Sequence, residues 1–150
     1  MLKFRIVTPE RIVFEDDVDQ VSMMTRDGEV TILPNHIPLV SILQAGELRY
    51  KKNDEEKIIA VSGGFAEMRS DNTLTVLADT AEAAHEIDIT RAEAAQAKAE
   101  KLMNEARNKE DVDFNFIQAN LERALNRVKI ANKYKHLPGA LNSVVRPKQE

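Results

Sequence analysis

The feature that most limits how this chain can fold is an abrupt change of composition at ADTAEAAHEID, residues 78–88. Before it, apolar residues recur with period two or in short runs broken by turn residues. After it, alanine, glutamate and lysine dominate, and glycine does not recur until Gly139. The first pattern suits strands and the second helices, because alternation presents one sheet face to a core while alanine-rich text has high helix propensity. The class expected is therefore α+β, with strands and helices segregated along the chain.

In the first part LKFRIV, RIVFE, VDQVSMM, EVTIL, PLVSIL, ELRYK, KIIAV, GFAEMR and TLTVLA read as short strands, about nine or ten in all. Asp27-Gly28, Ala45-Gly46, Asn53-Asp54, Gly63-Gly64 and Asp71-Asn72 supply breaks between many of them. Without intervening helices the strands are expected to pair antiparallel and stack as a β-sandwich over residues 1–84. Its expected interior includes Phe4, Ile6, Val21, Met23, Ile32, Leu39, Ile42, Ile59, Val61, Phe65, Leu74 and Val76.

The second part predicts an antiparallel two-helix hairpin over residues 85–135, with helices at 90–107 and 114–133 and Asp111 or Asp113 capping the second. Ile117, Leu121, Ala124, Leu125, Val128 and Ala131 form a stripe roughly 120° wide at about 100° per residue. Its partner is the face of the first helix that carries Ala92, Ala95, Ala99, Leu102, Met103 and Ala106. Such small residues let two helices approach closely but bury little surface, so the hairpin reads as a moving part. Residues 136–150, with two prolines and a glycine, read as an irregular tail.

The 150 residues suffice for one packed domain and an appendage, and a net charge of −4 lacks the basic excess that a phosphate backbone demands, so nucleic acid is not an expected partner. The signs are uneven: residues 112–150 hold 7 Lys/Arg against 3 Asp/Glu, a net of +4, leaving −8 on the rest. Cysteine is absent, which excludes disulfides, thiolate metal sites and a cysteine nucleophile. No apolar run is long enough for a membrane span, and MLKFRIVTPE lacks the apolar centre of a signal peptide. The expected compartment is the cytoplasm, with any membrane association made through another protein.

No phosphate-binding loop, nucleophile elbow, metalloprotease or calcium-loop motif occurs, and His36, His85 and His136 are too dispersed to suggest a metal. Catalysis is not expected to originate in this chain. Two constellations remain. In GEVTILPNHIP, Pro34 and Pro38 bracket Asn35 and His36, making a stiff loop that holds a histidine outward; it reads either as a rigid inter-strand connection or as a docking loop.

The second comprises Glu82, Ile87, Asp88, Arg91 and Ala92, with Arg123 and Arg127 on the second helix. The last two are four apart and share a helix face, and an antiparallel hairpin returns them towards Arg91. Three converging guanidiniums, beside helical N–H groups at Ile89 and Thr90, could bind a phosphate, with Glu82 accepting an exocyclic amine. Equally, Asp88 is an ordinary N-cap and the arginines a solvated basic face.

The layout resembles the epsilon subunit of F-type ATP synthases, in GEVTILPNHIPLVSIL, VSGGFAEM and LTVLADTAE, over Met1 to about Lys133. Thr31 departs from the glycine usual in that family, and the tail after Lys133 has no counterpart. The resemblance implies a non-catalytic rotor subunit of a proton-translocating synthase, peripheral on the cytoplasmic face of the bacterial cell membrane. It implies a sandwich bound to the gamma subunit and the c-ring, and a hairpin that inhibits ATP hydrolysis when extended towards the alpha and beta subunits.

Some bacterial members bind ATP, as a regulatory ligand that they do not hydrolyse, through a motif similar to Ile87, Asp88, Arg91 and Ala92, with an upstream Glu (Glu82) and two Arg (Arg123, Arg127). On that resemblance Arg91, Arg123 and Arg127 meet phosphates, Glu82 and the Ile87 backbone lie near adenine, and Asp88 caps the helix and orients Arg91. The alternative is a purely structural adaptor without nucleotide sensing.

Overall fold

The computed structural model describes residues 1–135; the irregular tail expected at 136–150 lies outside the described residues. Two compact units are formed, the first Met1–Ala83 and the second beginning at Ala84. The first contains β1 (Leu2–Val7), β2 (Ile12–Val18), β3 (Gln20–Thr25), β4 (Gly28–Ile32), β5 (Leu39–Lys52), β6 (Glu55–Met68), β7 (Thr73–Ala78) and β8 (Ala81–Ala83). A 3-10 turn, Ala84–Glu86, precedes α1 (Ile89–Ala106) and α2 (Phe114–Tyr134) in the second.

Eight strands replace the nine or ten expected among the described residues, because β5 and β6 are each 14 residues long. Ala45-Gly46 and Gly63-Gly64 are bends inside these strands rather than breaks between strands. Asn53 and Asp54, both at positive φ, do turn the β5–β6 hairpin, as expected of residues that tolerate the left-handed region. The sheet path is β2-β1-β7-β6-β5-β3-β4, with β8 on β6.

One pair departs from the antiparallel expectation: β1 runs parallel to β7, from Lys3 opposite Thr73 to Val7 opposite Leu77. The expectation considered only neighbours in sequence. The first strand instead inserts between β2 and β7, with the intervening strands serving as the crossover that a parallel pair requires.

This path folds over itself. Strands β2 and β5 are separated by β1, β7 and β6, yet Phe14 lies 4.5 Å from Tyr50 and Phe4 lies 5.9 Å from it, centroid to centroid. Asp16 and Lys52 also form an ion pair across the closure. The bend follows from β5: relative to β3 its register shifts between Met23 and Thr25, an irregularity that increases local twist. Between the layers lie Leu2, Phe4, Ile6, Val18, Val21, Ile32, Leu48, Leu74 and Val76, all at 1% exposure or less.

Ile42 and Phe65, expected in that core, are instead on the surface, while Leu39 is half-buried and packs against the core as expected. Strand parity explains the error, since Leu39 and Ile42 are three apart and cannot share a face of a regular strand. The inward residues are Leu43 on β5 and Ala66 and Met68 on β6. A small residue faces in and Phe65 faces out.

Burial also sets the chemistry of Tyr50. Its phenol is pushed up to about 12, first by burial and then by the nearby Asp16 carboxylate. An unfolded tyrosine titrates near 10, so the unfolded chain releases its proton first. This contribution to stability is constant below about pH 10 and is lost as pH rises towards about 12. Phenolate absorbance in a Tyr134→Phe chain is expected to report Tyr50 ionising near pH 12; a transition at the ordinary value would show that the aromatic cluster is open.

The hairpin helices begin and end within a residue of expectation. Asp88 caps α1 by accepting the Arg91 N–H at 3.0 Å, and Asp113, not Asp111, caps α2 by accepting the Phe116 N–H at 3.1 Å. Along their seam Ala92, Ala99 and Ala106 recur every seven residues and are buried, as are Ala124, Ile130 and Ala131. Ala95, Leu102 and Leu125 are exposed, so the seam is narrower than expected, and Ile130 was not anticipated in it.

Candidate functional site

The loop between β4 and β5 holds Pro34, Asn35, His36 and Pro38. Asn35 has φ 64°, and the His36 N–H donates to Leu33 O at 3.2 Å. The histidine is half-buried, and its Nδ1 donates to Ile37 O at 2.7 Å. That carbonyl can only accept, so Nδ1 carries the proton in the neutral ring and Nε2 is left as the acceptor. The outward residue is Ile37, 74% exposed, with Leu33 beside it at 53%.

A second surface was missed in the sequence. Ile42, Phe65 and Leu77 are register partners on β5, β6 and β7, forming an exposed apolar row, with exposed Val40 two residues from Ile42 on the same face. The signal was present in the parity of β5 and β6, once Ala66 and Met68 are read as inward. Contiguous apolar surface of this kind marks an interface more often than isolated exposed leucines do.

In the second unit, α1 packs along α2, and α2 also touches the Ala84–Glu86 turn that leads into α1. The seven residues between the helices reverse the chain, so the C-terminal part of α2 returns to the helix entrance. Ile87 and Ala92 are buried there, and Arg91 sits on the first turn with its amide held by Asp88. Arg123 and Arg127 are half-buried one turn apart on α2. The Nε of Arg123 is buried and meets no hydrogen-bond partner among the described residues. The desolvation of such a nitrogen is uncompensated until it meets an acceptor, and the Nε of Arg5 in the first unit is in the same state.

Glu82 belongs to the first unit, on β8, in register with Ala60. Of the residues expected at the nucleotide, Glu82 therefore belongs to the first unit, whereas Ile87, Asp88, Arg91, Ala92, Arg123 and Arg127 belong to the second. Among the described residues no cluster of three His, Asp or Glu could hold a metal ion, and no helix is long and apolar enough to cross a membrane.

Comparison with known proteins gives these surfaces their context. Residues 1–84 match the family described as "ATP synthase, Delta/Epsilon chain, beta-sandwich domain", and residues 85–132 match "ATP synthase, Delta/Epsilon chain, long alpha-helix domain". The ATP synthase epsilon chain of Halalkalibacterium halodurans is 45% identical over 132 residues, covering 88% of this chain and 98% of the relative. That of Pediococcus pentosaceus is 43% identical, covering 87% and 95%. A chain in a mitochondrial ATP synthase structure of Euglena gracilis, comprising OSCP, F1 and c-ring, shares the fold at TM-score 0.67 and 19% identity, covering 90% of this chain and 81% of that one. With both units matched and identity above two fifths across nearly the whole of these relatives, the chain belongs to the epsilon subunits of bacterial F-type ATP synthases, non-catalytic members of that complex.

Proposed function

We propose that the chain is a central-stalk rotor subunit of a proton-translocating synthase, docked to the gamma subunit and the c-ring on the cytoplasmic face of the bacterial membrane. In this reading it carries an ATP-sensitive brake on hydrolysis. The apolar row Ile42–Phe65–Leu77 supports a permanent partner such as gamma, since exposed aromatic and aliphatic surface is stabilised by lasting burial. The stiff Leu33–Pro38 loop, which exposes Leu33 and Ile37 beside the acceptor nitrogen of His36, offers a mixed apolar and polar contact for the loops of a membrane ring.

The observation that carries the regulatory reading is the buried, unpartnered Nε of Arg123 on a helix that returns to the capped entrance of α1. ATP fits this chemistry: its phosphates would meet Arg91, Arg123 and Arg127 and the N-terminal amides of α1, which a helix dipole favours. Ile87 and Ala92 would supply apolar cover. Asp88 fixes where α1 begins and therefore where Arg91 stands.

If ATP binds only the closed hairpin, it stabilises that form by RT ln(1 + [ATP]/Kd), and the inhibitory form appears as ATP falls. In that form the basic second helix would engage acidic segments of the alpha and beta subunits. Assembled synthase lacking residues 88–150 is expected to hydrolyse ATP faster at low nucleotide concentration than the complete complex. Equal rates across the ATP range would leave only the structural adaptor.

A further inference from the structure

The loop proposed to dock against the membrane ring is held by a residue outside it. Asn72, in the turn between β6 and β7, has φ 65° and is half-buried. Its Oδ1 accepts the Asn35 N–H at 2.7 Å, and its Nδ2 donates to the Met1 carbonyl at 2.7 Å. Its own carbonyl accepts the Lys3 N–H at 3.1 Å, and its N–H donates to Arg69 O at 3.2 Å. Every polar group of this one residue is engaged, by segments 37 and 71 positions away as well as by its own turn.

The orientation of the amide is fixed by these partners. The Asn35 N–H can only donate and the Met1 carbonyl can only accept, so a reversed amide would set donor against donor and acceptor against acceptor. Asparagine also suits the left-handed backbone, which most side chains resist. Pro34 and Pro38 stiffen the loop internally but do not fix where it stands relative to the sheet, and Asn72 does.

We propose that Asn72 is the positioning residue of the Leu33–Pro38 loop, clamping its apex to the β6–β7 turn and to the start of β1 so that the three segments form one rim. The consequence for docking rests on the reading of that loop as the ring contact. A loop already held in its binding geometry loses less freedom on association, so releasing it lowers affinity by the fraction of time spent misplaced.

The test uses the full-length chain. Asn72→Gly keeps the backbone conformation and removes both side-chain bonds, while Asn72→Asp keeps an acceptor for Asn35 and loses the donor to Met1. Amide exchange at Asn35, measured by NMR, is expected to accelerate about tenfold in the Gly variant and to stay within about twofold in the Asp variant. Affinity for detergent-solubilised c-ring is measured on the same samples, with the thermal midpoint confirming folding.

Unchanged Asn35 exchange in Asn72→Gly overturns the proposal. Faster exchange with weaker ring binding supports it together with the docking role of the loop. Faster exchange with undiminished ring binding supports the clamp while refuting that docking role.

Discussion

Replacing Gly64 by alanine is expected to destabilise the N-terminal unit by more than about 4 kcal/mol, the range reserved for severe core disruptions. Two independent causes add. The backbone there has φ 130°, a conformation that side-chain-bearing residues rarely adopt. A Cβ at this position would also run into the backbone of β7, overlapping the Leu77 carbonyl oxygen and standing 2.9 Å from the Ala78 Cα. Neither neighbour is a flexible side chain, so relief requires β6 and β7 to separate where Gly64 opposes Ala78, at one end of their pairing. For a unit of this size the thermal midpoint should fall by roughly 15–30 °C, measured by circular dichroism. Gly46→Ala is the control: its nearest neighbour is the Met24 Cβ at 3.4 Å, a contact that a small adjustment relieves, and a shift of about 1 kcal/mol or less is expected. Equal behaviour of the two variants would mean that the sheet does not bend at Gly64.

The second large effect concerns nucleotide. Isothermal titration of the isolated chain should detect ATP binding, and Arg123→Ala combined with Arg127→Ala should weaken it at least about a hundredfold, since each charge-assisted bond contributes about 1.5–3 kcal/mol. Arg123→Lys is informative because it keeps the charge and loses the planar fork; a loss of about tenfold is expected from the geometry alone. Retained binding in the double variant would show that the arginines are surface and that the chain senses nothing through them. The sandwich should melt as before in both variants, since Arg123 and Arg127 belong to the second unit.

What could be read from the sequence follows the range of the interactions involved. Helix ends were legible because caps act within one turn: Asp88 and Asp113 announce α1 and α2 from three residues away. Asn53-Asp54 was legible for the same reason. The 14-residue length of β5 and β6 was not, because the glycines that punctuate strings of apolar residues can end a strand or bend one. Which occurs depends on the neighbouring strand, and β7 was more than ten residues away.

The parallel pairing of β1 with β7 was hidden similarly, by a partner some seventy residues on. In the candidate site, residue types and spacing pointed to Arg91, Arg123 and Arg127. The burial of the Arg123 Nε could not be seen without the helix that covers it. The hydrogen bond from the His36 ring to the next residue's carbonyl was hidden as well, since spacing does not specify it.

The long β5–β6 hairpin has a mechanical consequence. Its register holds from Leu39 opposite Met68 to Lys52 opposite Glu55, over the full length of both strands. A twisting load applied at one end reaches the other through covalent backbone, with the cross-strand bonds sharing it in shear along the ladder rather than parting one at a time. In a part that must turn with a shaft, such a torsion bar lets the domain rotate as a unit instead of winding up.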